Sequence, residues 1–168
     1  STWIGCLADQ PQRSFRVTTA FYRIILKALE KHPAEVVFID VGPNLGAINR
    51  SALIAADHIV LPLAPDLFSL QGLRNLGPSL GSWRHGWLQR KERFSENRAI
   101  TLPDGLMSAI GYVVMQHGVR DDRPVKAYLR WLEKIPEVYR EYVLNESLGG
   151  DITAENDPYR LAQLKHYR

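Results

Sequence analysis

Cys6 is the only cysteine in the 168 residues. An internal disulfide and a multi-cysteine metal site are therefore excluded, and a reducing compartment, by default the cytoplasm, is the expected setting. No apolar run approaches the roughly 18 residues that a membrane span requires, and no charged-then-apolar leader opens the chain, so neither membrane insertion nor secretion is expected. The histidines, His32, His58, His85, His117 and His166, show no pairing at metal-ligand spacing. No Gly-x-Ser-x-Gly elbow supports a hydrolase nucleophile, since the one such spacing, Gly77 to Gly81, lies within a helical stripe and not on a strand-to-helix turn, and no internal repeat is seen.

What is present suits one compact domain: 45% of the residues are hydrophobic and 23% charged, enough to bury a core. The chain opens on Ser1 rather than Met and closes on the polar run Lys165-His166-Tyr167-Arg168, so a piece of a longer protein is expected. The net charge of +3 is unevenly placed. Between Ser82 and Arg98 stand Arg84, Arg90, Lys91, Arg93 and Arg98 against Glu92 and Glu96, whereas seven acids between Glu133 and Asp157 face only Lys134 and Arg140.

Periodicity divides the chain. Val17, Phe21, Ile24, Ile25, Ala28 and Leu29 recur at helical spacing, which predicts one helix from about Ser14, as N-cap, to Lys31, stopped by Pro33. Glu35 to Val41 is a β-rich apolar run of the kind found in a strand buried on both faces. A turn at Gly42-Pro43-Asn44 and a short helix through Ile48, Leu53 and Ala56 lead to a second strand, His58 to Leu63, whose Pro62 argues for an edge or an early end.

Leu70, Leu73, Leu76, Leu80, Trp83 and Trp87 trace a helical stripe with a kink expected at Gly77-Pro78, and Gln89 to Asp104 reads as a surface loop or exposed helix end. A third strand is predicted from Ala109 to Met115. A helix follows from Pro124, interrupted by Pro136 and resumed through Val138, Tyr139, Tyr142 and Val143. Residues 1–144 are assigned to the domain, and 145–168 to a linker or loosely packed tail.

Alternating helices and strands in this order imply an α/β fold, a doubly wound, mostly parallel sheet. Ligands in such sheets bind beyond the C-terminal strand ends, here Asp40 to Asn44, Ala64 to Ser69, and Gln116 to Arg123. A carboxylate emerging from an apolar strand, as Asp40 does, suits holding Mg2+ beside nucleotide phosphates, or else merely caps the turn. Arg84, Arg90, Lys91 and Arg93, interleaved with Trp83, Trp87 and Phe94, form either a salt-sensitive DNA-contacting patch or a solvated helix end with inward tryptophans.

The stretch from Val36 to Gly46 resembles the Walker B segment of the ParA/MinD partitioning ATPase family, in which an apolar strand ends in Asp and is followed by a small residue, Pro and a helix. The resemblance runs on through Ala52-Leu53-Ile54-Ala55-Ala56-Asp57, the strand with Pro62 and Pro65, and Phe68-Ser69-Leu70-Gln71-Gly72-Leu73. It implies a partial P-loop NTPase-like domain that uses ATP and Mg2+. Asp40 is the implied catalytic and metal residue, Gly42 and Pro43 lie beside the nucleotide, and Met115, Gln116 and His117 match by position the segment near the adenine.

The resemblance also implies a homodimer, a partner protein that stimulates hydrolysis, and nonspecific DNA binding in plasmid or chromosome partitioning. The family's Gly-rich loop with its Lys has no counterpart here: Gly42-Pro43-Asn44-Leu45-Gly46 lacks the Lys, and Gly149-Gly150 follows no strand. Asp9-Gln10-Pro11 is only reminiscent of the family's second acidic motif. This chain alone is therefore expected not to bind ATP tightly, and a noncatalytic DNA- or protein-binding module of the same ancestry is the alternative. A receiver domain also ends a strand in Asp, but it needs Ser or Thr and then Lys where this chain has Leu63-Ala64 and Met115-Gln116.

Overall fold

The computed structural model describes residues 11–42, 44, 46–94, 100–115, 125–147 and 149–164. In chain order the elements are α1 (Pro11–Thr18), α2 (Ala20–Lys31), α3 (Ala47–Ala55), β1 (His58–Leu63), α4 (Leu67–Phe94), β2 (Ser108–Met115), α5 (Val125–Leu132), α6 (Ile135–Val138), a π-helical turn (Tyr139–Leu144) and β3 (Arg160–Leu164). The strands form one sheet in the order β1-β2-β3, with β3 parallel to β2. Helices separate successive strands, as parallel pairing demands, because no tight turn can return a chain to a parallel neighbour. The architecture is α/β, as the alternation of elements implies.

Two compact units divide the chain, one of residues 1–57 and 83–108, the other of residues 58–82 and 109–168. In the first, the core is aromatic. Phe15 of α1 stacks on Phe94 at 4.2 Å between centroids and meets Trp87 edge-on at 5.7 Å. Trp87 is fully buried and donates its indole N–H to the Pro103 carbonyl at 3.1 Å, which satisfies its one polar atom. Gly105, at φ +69°, lies where any Cβ would run into that indole, so this position needs glycine for both backbone and space. The predicted single N-terminal helix starts earlier, at Pro11, and is divided at Thr19. That side chain returns a hydrogen bond to the Phe15 carbonyl at 2.8 Å, and Ser14 is buried within α1 instead of capping it.

The strand expected at Val36 to Asp40 does not form. Residues 33–41 carry no regular structure, and Val36 and Phe38 are 65% and 94% exposed. β-branched composition favours a strand only where a neighbour supplies ladder hydrogen bonds, and among the described residues none runs alongside this segment.

In the second unit, β1 alternates exposed and buried residues, turning Ile59, Leu61 and Leu63 inward. It stands at one edge of the described sheet, where the missing amide of Pro62 is tolerated. The first part of α4 buries Leu70, Leu73 and Leu80. Gly77 permits a close approach there, because a Cβ would collide with the Tyr142 carbonyl of the π-helical turn. Pro78 lies inside α4, which continues for 28 residues to Phe94, so of the two readings of the segment after Gln89 it is the exposed helix end that forms as far as Phe94.

The C-terminal segment differs most from a loose tail. Tyr112 donates its amide to the Tyr159 carbonyl at 2.8 Å, and β3 pairs with β2 from Arg160 to Leu164. Asp157, its side chain 0% exposed, accepts from the Tyr112 hydroxyl at 2.8 Å and from Arg140 Nη2 at 2.8 Å. The Arg140 guanidinium also lies 4.8 Å above the Tyr159 ring. One buried carboxylate thus ties β2, the π-helical turn and the approach to β3 together.

Candidate functional site

Asp40 is exposed in the irregular segment that precedes the loop Gly42 to Gly46. α3 begins at Ala47 with Gly46 as its N-cap, so no side chain caps it there and the last loop residues are held by other means. Gly46 donates its amide to Asn44 Oδ1 at 3.0 Å. From within the first turn of α3, Asn49 donates its carboxamide N–H groups to the carbonyls of Gly42 and Asn44, both at 2.8 Å. Periodicity and motif spacing do not single out Asn49. The available signal was an Asn three residues after a glycine N-cap, a position from which side chains reach back over the helix start.

Pro43 lies outside the described residues, as do Gln116 and His117. Met115, the last residue of β2, is exposed and belongs to the second unit. In that unit too, α4 opens with Asp66, whose Oδ1 accepts from the Ser69 amide at 2.7 Å, while Ala64 donates its amide to Ser69 Oγ at 3.1 Å. This closed cap leaves Leu67 and Phe68 exposed at the end of β1.

The donor chemistry fits Mg2+ in a restricted way. Among the described residues no group of three or more His, Cys, Asp or Glu side chains converges. A single hard carboxylate, Asp40, is what Mg2+ takes when nucleotide phosphates and water complete its shell. The loop does not fit triphosphate: Gly46 spends its amide on Asn44, and no lysine is in the sequence from Gly42 to Gly46.

The basic segment lies on the second part of α4, in the first unit. Trp83, Trp87 and Phe94 all point into the core, so the aromatics of the suggested patch are structural. Arg84 donates to the Met107 carbonyl at 2.6 Å, Arg90 to the Gly86 carbonyl, and Lys91 pairs with Asp104 at 2.6 Å. The hydrogen bond from Lys91, reinforced by its charge, holds the Asp104 carboxyl below the usual carboxylate range. Arg93 is exposed.

The sheet and its helical crossovers fit a partial P-loop NTPase-like fold. A crystal structure of a Corynebacterium diphtheriae protein has this fold: it matches 90% of the chain and 52% of its own length, with a TM-score of 0.59 and 23% identity.

Residues 12–86 match the family model described as an AAA domain. The chain is 41% identical over 54 residues to a ParA family protein of Chlamydia trachomatis, covering 32% of this chain and 21% of that protein. It is 29% identical over 80 residues to the chromosome partitioning protein ParA of Myxococcus xanthus (48% and 26%) and 28% identical over 78 residues to protein IncC of Escherichia coli (46% and 21%). In these stretches the chain is similar to ParA-type partitioning proteins, and it spans about a quarter or less of these relatives' lengths.

Proposed function

We propose that the protein is a ParA-like ATPase acting in the partitioning of DNA, plasmid or chromosome, with Asp40 as the residue that holds Mg2+, directly or through water. The observation that carries this reading is an exposed Asp40 leading into a loop fastened to α3, within the stretch matched by the AAA-domain family model. Bound Mg2+ supplies neutralisation of charge on the transferring phosphoryl group. Asp40 would anchor the ion, and the Gly42–Gly46 loop would set the direction of that carboxylate.

The phosphates themselves need a grip that this loop does not provide, so a glycine-rich, lysine-bearing loop elsewhere in the full-length protein is part of the proposal. So are a nucleotide-dependent homodimer, a partner that stimulates hydrolysis and a cytoplasmic location. Among the described residues no helix is long and apolar enough to cross a membrane. Nonspecific DNA contact is assigned to the α4 end, with Arg93 outermost and Arg90 and Lys91 beside it. Arg84 has its guanidinium on the Met107 carbonyl.

ATP turnover by the full-length protein, measured with and without Mg2+, tests the enzymatic part. Turnover only with the metal is expected, and none under either condition would leave a noncatalytic module. Charge reversal at Arg90, Lys91 and Arg93 together should weaken DNA retention most visibly at low salt. Retention equal to the parent removes the patch.

A further inference from the structure

A loop that sets the direction of a ligand-bearing carboxylate has to be held, and Gly42 to Gly46 is poorly suited to hold itself. Glycine has the largest backbone freedom to lose, and this loop contains two glycines. Among its described residues, the Gly46 amide is tied to Asn44 Oδ1 at 3.0 Å.

Asn49 supplies the rest. A carboxamide nitrogen carries two N–H donors, and both are spent on carbonyls two residues apart, those of Gly42 and Asn44, at 2.8 Å each. Backbone carbonyls only accept, so the side chain's orientation is fixed by its partners: the nitrogen faces the loop and the oxygen faces away. Asn49 itself is carried on α3, whose first helical bond, from the Arg50 amide to the Gly46 carbonyl at 3.0 Å, closes immediately beside it. The chain that leaves Asp40 is thereby fastened, two and four residues on, to a rigid element.

We propose that Asn49 is a positioning residue for the Asp40 site: its carboxamide clamps the following loop to α3 and so sets where the Asp40 carboxylate is presented. The inference rests on the reading of Asp40 as the Mg2+ residue, and it adds a residue that touches neither metal nor nucleotide.

Asn49→Asp tests it, since the shape is kept while both donors are replaced by a carboxylate facing two carbonyl oxygens. Asn49→Ala removes the donors without adding charge. In the full-length protein, both variants should speed hydrogen exchange at the Gly46 amide, which donates to Asn44 Oδ1. Both should also raise the Mg2+ concentration for half-maximal ATP turnover by about 10- to 100-fold, the usual consequence of losing a group that orients a metal ligand, while turnover at saturating Mg2+ stays near the parent's. With Mn2+ and ATP as the probe, paramagnetic broadening of resonances next to Asp40 should need correspondingly more metal.

A merely structural Asn49 would alter exchange and melting temperature and leave the metal dependence unmoved, and that result overturns the proposal. Exchange unchanged from the parent overturns it as well. Asp40→Ala measured in parallel separates the two levels. If it leaves the metal dependence unchanged, the reading of Asp40 falls and the positioning role falls with it. If Asp40→Ala abolishes turnover while Asn49→Asp changes nothing, Asn49 alone is removed.

Discussion

Tyr112 and Tyr139 lie 5.1 Å apart in the second unit, both buried, and they answer differently to the loss of a hydroxyl. The Tyr112 hydroxyl donates to Asp157, whereas that of Tyr139 has no partner among the described residues. Tyr112→Phe should therefore cost about 1.5–3 kcal/mol, the range for a hydrogen bond to a charged group, and Tyr139→Phe should be neutral or stabilising in the same urea titration. Burial first, and then the hydrogen bond to Asp157, push the Tyr112 hydroxyl above the ordinary phenol range; burial does the same for Tyr139. The unfolded chain loses these protons near pH 10 and the folded chain holds them longer, so stability is full below about pH 10 and falls as pH rises beyond it. Tyr112→Phe should flatten that alkaline decline. Asp157→Ala leaves the buried Arg140 with only the longer ion pair to Glu146 at 3.8 Å among the described residues, and should cost up to about 3–5 kcal/mol. None of this was legible in a sequence where Asp157-Pro158 reads as a turn, because burial of the carboxylate depends on Arg140 and Tyr112, which lie 17 and 45 residues away.

At the level of elements, α4 and its packing carry the first unit's aromatic core. Trp87→Ala removes the centre of the Phe15, Trp87 and Phe94 cluster and should cost about 3–5 kcal/mol. Gly105→Ala puts a methyl against the same indole at a left-handed backbone position, so it too should lower the unfolding midpoint, whereas an alanine at exposed Gly72, within α4, should not. The helical stripe of α4 and the strand β1 are readable because each buries a periodic face within its own segment, and β2 is readable as a continuous apolar run. Val36 to Ile39 was misread for the complementary reason: its composition is that of a strand, but a strand exists only with a neighbour, and composition does not say whether one is there. β3 went unseen because Arg160 to Leu164 mixes polar and apolar residues, and its place is set by pairing with β2 and by the Asp157 anchor.

For the molecule as a whole, Asp40 stands out in the sequence because an acid ending an apolar run is visible locally. Asn49 did not stand out. Its role depends on a side chain reaching back to two carbonyls, which periodicity does not encode. The basic residues near the end of α4 were visible as charge, but which of them are committed to Met107, Gly86 or Asp104 is a property of packing. The account turns on Asp40, and the most direct test is Mg2+-dependent ATP turnover by the full-length protein carrying Asp40→Ala. Turnover reduced to background, with the folded structure intact by circular dichroism, is the result expected. Turnover equal to the parent's would contradict the account.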